Sequence, residues 1–104
     1  MKKLYLFSSF WLFFLLIGVG GALAQQKVTG RVVSVKGEPL VGVNIVEKGT
    51  LNGIITDFDG NYSIDVKNGE ATLKFSYIGF KEEEVPVKNR SVINVSLQED
   101  LAEL

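Results

Sequence analysis

From residue 27 to residue 97 apolar and polar side chains alternate with a period of two, in short runs separated by turn signals every eight to ten residues. Successive side chains of a strand point to opposite faces, so this pattern gives each strand one buried and one solvated face. Short strands of that kind, closely spaced and joined by turns, build an antiparallel sandwich of two sheets. After residue 25 no stretch sustains the i, i+3, i+4, i+7 spacing of a helix, and residues 98–104 are too short to do so. The expected fold is therefore all-β, a seven-stranded antiparallel β-sandwich.

The first strand is expected at about 27–35, with Val28, Gly30 and Val32 on one face. Val32-Val33 interrupts that phase and predicts a bulge or a crossing between sheets. After the turn Lys36-Gly37-Glu38-Pro39, residues Val41, Val43 and Ile45 point inward, with Asn44 and Val46 outward. A short strand at 54–56 follows the reversal at Gly49 and Asn52-Gly53, and Asp59-Gly60 then turns the chain into Tyr62, Ile64 and Val66. Asn68-Gly69 is a hairpin signal before Leu73, Phe75 and Tyr77. Beyond Gly79, Val85 and Val87 point inward while Glu82 and Glu84 point out, which with Pro86 marks a sheet edge. The last strand carries Ile93, Val95 and Leu97 inward.

Residues 1–24 stand apart from this pattern. Lys2 and Lys3 precede an apolar stretch at 4–17, and Ala22-Leu23-Ala24 is the small-x-small site that a signal peptidase reads. Cleavage is expected between Ala24 and Gln25, with a sandwich over 25–98 and a short tail at 99–104. Residues 4–24 are also about long enough to cross a bilayer, but the well-placed small residues favour a cleaved signal peptide. A lipid anchor would need a cysteine, and the chain has none.

The mature chain would hold 80 residues, near the lower limit for a domain without staples. With Lys2 and Lys3 removed, nine basic residues face twelve acidic ones, a net charge of −3. That balance provides no basic stripe for nucleic acid. Without His or Cys, neither Ser-His-Asp nor Cys-His nucleophile systems can be assembled, and ordinary zinc, haem and iron–sulfur ligand sets are missing. The residues point to a protein that is not an enzyme and that needs no cofactor.

Three features still invite a chemical reading. In T-D-F-D-G-N-Y (56–62), Asp57, Asp59 and Asn61 occupy positions 1, 3 and 5 of a calcium loop. Position 6 is Tyr62 instead of glycine and position 12 is Asn68 instead of glutamate, so the coordination shell is incomplete. The expected role of Asp57 is to bond nearby backbone N–H groups of a turn. The run Glu82-Glu83-Glu84 alternates faces on a strand and does not converge as a carboxylate pair would. Among the aromatics Tyr62, Phe75, Tyr77 and Phe80, the phase with Leu73 assigns Phe75 and Tyr77 to the core. Phe58 and Phe80, in or beside turns, are expected to be exposed.

The stretches TGRVVSVKGEPLVGVNIVEKGT, NGIITDFDGNYSIDV, LKFSYIGFKEEEVPV and INVSLQED together resemble the carboxypeptidase-D regulatory-like domain. The nearest variety is the copy at the N-terminus of SusC/RagA-type TonB-dependent outer-membrane transporters. The resemblance implies a transthyretin-like (prealbumin-like) Greek-key sandwich that is non-catalytic and lies in the periplasm ahead of a TonB box, plug and barrel. Those transporters import glycans or peptides, so the implied partners are envelope proteins of a TonB-dependent uptake system. The outer membrane would be reached only through a larger transporter. Residue 104 falls about where the family continues toward the TonB box, which leaves a fragment of such a transporter or a free-standing module as the two forms. The second functional reading is a secreted carbohydrate-binding or adhesion module that contacts glycan through Phe58 and Phe80.

Overall fold

The computed structural model describes residues 25–101. The cleavage residues Ala22 and Ala24 lie outside the described residues, while Gln25 is the first of them. Seven strands follow in order: β1 (Gln26–Ser34), β2 (Asn44–Glu47), β3 (Gly53–Ile55), β4 (Asn61–Val66), β5 (Thr72–Ser76), β6 (Glu83–Pro86) and β7 (Val95–Leu97). They form two sheets, one of three strands in the order β4-β1-β7 and one of four in the order β3-β2-β5-β6. The described residues contain no α-helix.

The core lies between the sheets, and period two selects it. On β4 the strict alternation buries Tyr62, Ile64 and Val66, on β5 Leu73 and Phe75, and on the last strand Val95 and Leu97 after Ile93. Phe75, Leu73, Ile45, Val28 and Val32 are completely buried. Tyr62 meets Phe75 edge to face across the interior, with ring centroids 5.7 Å apart and planes at 77°.

Three strand-level expectations change. No bulge occurs at Val32-Val33, because the register runs without a gap through Val32↔Val95, Val33↔Ser96 and Ser34↔Leu97. Val33 lies on the outer face and Ser34 takes the buried position, where its Oγ accepts from the N–H groups of Lys36 and Glu38 at 3.2 and 3.3 Å. Secondly, the β1–β7 ladder is parallel, whereas the other ladders between named strands are antiparallel. Chain direction explains it: β6 runs down the four-stranded sheet, and the segment after it crosses to the other sheet before rising beside β1. Thirdly, Val41 is 44% exposed. Gly42 adopts a positive φ of 83°, which breaks the alternation before Val43 enters the core.

The two lateral openings of the sandwich are closed differently. Between β3 and β4, Asn52 Nδ2 donates to the Asp65 carbonyl at 2.6 Å and to Glu47 Oε1 at 3.1 Å. The other carboxylate oxygen of Glu47 accepts from the Lys67 N–H at 3.2 Å. Between β6 and β7, the Lys81 N–H donates to the Gln98 carbonyl at 2.8 Å and the Asp100 N–H to the Gly79 carbonyl at 2.9 Å. Residues 98–100 are thereby tied to the turn before β6.

Candidate functional site

The loop at 56–62 is a turn built around one carboxylate. Asp57 Oδ1 accepts from the N–H groups of Asp59 and Asn61 at 3.0 and 2.9 Å, and the Asp57 N–H donates to the Asn61 carbonyl at 3.0 Å. Gly60 has a φ of 80°, and a Cβ there would stand 2.5 Å from the Val32 carbonyl oxygen. Its own carbonyl accepts from the Val32 N–H at 2.8 Å, so the turn is fastened to β1. Arg31 Nε adds a bond to the Asp59 carbonyl at 2.9 Å. Among the described residues no group of three His, Cys, Asp or Glu converges as a metal site would. Asp57→Ala should remove two turn bonds and cost about 1–2 kcal/mol. Thermal melts check this, with millimolar calcium expected to leave the midpoint of wild type unchanged.

The glutamate run charges the edge strand β6. Glu84 is paired with Lys48 at 2.7 Å and Glu82 with Lys74 at 3.3 Å on the outer face of the four-stranded sheet. The hydrogen bond and charge of Glu84 raise the Lys48 pKa, and the same pairing lowers that of Glu84. Glu83 occupies the opposite phase, opposite Phe75 in the ladder. Pro86 offers no N–H to the edge, and its carbonyl accepts from the Arg90 guanidinium.

The aromatics divide between core and surface. Phe58 is 88% exposed at the tip of the turn, as its position predicts. Phe80 departs from expectation: it is half-buried against the core, its ring centroid 5.6 Å from that of Tyr77. The bridge between Phe80 and Glu99 holds the residue down. Tyr62 is buried, and its hydroxyl donates to the Ile93 carbonyl at 2.7 Å. Burial pushes its pKa up to about 12, with Arg90 opposing slightly. Because the folded pKa exceeds the ordinary value of about 10, this contribution is complete below pH 10 and is lost as pH rises toward 12. Wild type should lose about 2 kcal/mol more than Tyr62→Phe over that interval. Urea unfolding at stepped pH checks it, and parallel profiles would refute it.

Two features escaped the sequence reading. One is Glu47, 6% exposed, whose inward position continues the alternation of Val43 and Ile45. The other is an open hollow at one end of the four-stranded sheet, lined by Gly42, Asn44, Ser76, Tyr77, Phe80 and Glu82 among others.

These elements define a small two-sheet β module whose conspicuous carboxylates are engaged in a turn, a staple between sheets and edge ion pairs. The sequence model of the CarboxypepD_reg-like domain matches residues 28–104, and the chain belongs to that family. It is 44% identical over 99 residues to the TonB-dependent receptor P39 of Formosa agariphila, covering 95% of this chain and 9% of the receptor. To the TonB-dependent receptor SusC of Bacteroides thetaiotaomicron it is 45% identical over 80 residues, covering 76% of this chain and 8% of that one. The chain thus spans less than a tenth of the length of either receptor. A chain of a solved type II Cohesin-X-Dockerin complex from Acetivibrio cellulolyticus shares the fold, with a TM-score of 0.53 and 19% identity. The likeness covers 68% of this chain and 52% of that one.

Proposed function

We infer that the chain is an exported, non-catalytic β-sandwich module of a TonB-dependent uptake system, acting by contact with other envelope proteins. The observation that carries this reading is the identity it shares with a segment of two TonB-dependent receptors. The module works in the periplasm, either as the N-terminal extension of a larger SusC/RagA-type outer-membrane transporter or as a free-standing copy. Residues 1–24 direct its export and are removed between Ala24 and Gln25. Its strand connections are those of a transthyretin-like Greek key, a reading supported by the strand orders of the two sheets. The engagement of Asp57, Glu82 and Glu84 in bonds of the fold itself favours contact over covalent chemistry.

The exposed ring of Phe58 favours a second reading, a secreted carbohydrate-binding module. Fractionation of expressing cells, with sequencing of the chain's N-terminus and a glycan array, separates the two. The first reading expects a periplasmic chain that starts at Gln25 and binds no saccharide. Recovery in the cytoplasm would sink it, and saccharide binding abolished by Phe58→Ala would establish the second.

A further inference from the structure

Strand directions sort the loops into two ends. Loops 35–43, 56–60 and 77–82, together with residues 98–101, gather at one end, here called the upper; Gln25 and loops 48–52, 67–71 and 87–94 gather at the other. Five of the eight large hydrophobic side chains exposed among the described residues lie in these upper segments, and a sixth, Ile55, ends β3 next to them. Ile78, 90% exposed, lines the hollow there, and the exposed Leu101 directly follows Asp100, another of its lining residues. The loops of this end carry six carboxylates against two lysines, whereas those of the lower end carry four basic residues against one acidic. The sandwich is therefore electrically polar along its strands, with apolar surface concentrated at its negative pole.

The sides of the molecule offer less. The β3–β4 opening is stitched by Asn52 and Glu47, and the β6 edge carries charged side chains and ends in Pro86, devices that disfavour strand addition. The hollow combines the half-buried rings of Tyr77 and Phe80, the exposed Ile78 and the carboxylates of Glu82 and Asp100, and among the described residues neither lysine nor arginine lines it. Glu82 reaches Lys74 at 3.3 Å in a solvent-exposed pair, which a second cation can share at small cost. Aromatic faces attract cations, and a rim of one sign selects partners of the other.

We propose that the upper-end hollow is the contact surface of the module, and that it binds an extended segment of an envelope protein in which lysine or arginine alternates with apolar residues. The proposal rests on the interaction reading above and names its location and the chemistry of its partner. The main rival occupant is the basic lower end of a second copy, which would stack molecules head to tail.

A photo-reactive benzophenone residue at position 78, with position 51 at the lower end as control, tests this in the chain expressed in a Gram-negative envelope. Both native side chains are exposed, so either replacement leaves the core intact. The expected result is an adduct from position 78 whose partner segment, sequenced by mass spectrometry, holds basic residues flanked by apolar ones. Glu82→Lys should lower its yield about fivefold. Three results would overturn the proposal: adducts from position 51 alone, adducts indifferent to Glu82→Lys, or adducts to a second copy of this chain. The first of these leaves the interaction reading standing. Absence of adducts from both positions overturns that reading as well.

Discussion

Gly30→Ala should remove a large share of the stability of the fold and lower its melting temperature steeply. A Cβ at residue 30 would stand 1.9 Å from the Ile93 carbonyl oxygen, 2.7 Å from its carbon and 2.9 Å from Tyr62 Cε1. Two of those three atoms are backbone, so a rotamer change cannot relieve the overlap. The Ile93 segment would have to withdraw from β1, giving up the bond from the Ile93 N–H to the Thr29 carbonyl at 2.8 Å. Tyr62 would lose its partner at the same place, since its hydroxyl bonds that Ile93 carbonyl. Overpacking with backbone displacement costs about 3–4 kcal/mol. A domain of this size holds only about 4–12 kcal/mol in all. Gly37→Ala provides the contrast, because its Cβ would meet nothing within 4 Å and only the positive φ of 85° resists it. That strain is worth about 1–2 kcal/mol. Equal melting temperatures for the two variants would show that the β1–Ile93 contact is looser than described.

Phe75→Ala should cost about 3–5 kcal/mol, the usual range for emptying a buried aromatic site. Phe75 has no exposed surface and faces Ile45 across the β2–β5 ladder. The edge-to-face contact with Tyr62 joins the two sheets at their centre, and backbone ladders on both sides keep them from collapsing into the space left behind. Phe58→Ala, at an 88% exposed ring, should change stability by less than about 0.5 kcal/mol. Urea titration of both variants checks the pair. A small loss for Phe75→Ala would mean that the core repacks around it.

The residues that the alternation pattern revealed are those whose burial depends on period alone. Tyr62, Ile64 and Val66 on β4, and Leu73 and Phe75 on β5, needed no knowledge of neighbouring strands. Hydropathy misled where a polar residue takes an inward place. Ser34 is such a case, its hydroxyl satisfied by two local N–H groups, so the apolar Val33 beside it passed for a phase break. Glu47 is another, for its carboxylate finds partners in the 48–52 loop and at Lys67 just beyond β4, segments that a local pattern cannot bring together. The parallel β1–β7 ladder is a property of the crossover between sheets and leaves no mark on either strand. At the candidate site, the turn at Asp57 was legible because its bonds span only four residues. The hollow was not, since it joins residues near 42, 77 and 100 that meet only once both sheets have formed.

The claim that this module works by contact with envelope proteins is tested most directly by quantitative mass spectrometry of what co-purifies with it from chemically cross-linked envelopes. Wild type should enrich TonB-dependent receptors about tenfold over a control carrying both Gly30→Ala and Phe75→Ala, whose combined cost of about 6–9 kcal/mol takes up most of the stability a domain of this size holds. Equal recovery of those receptors with both forms, or retention of the wild-type chain on a saccharide matrix with no receptor attached, would contradict it.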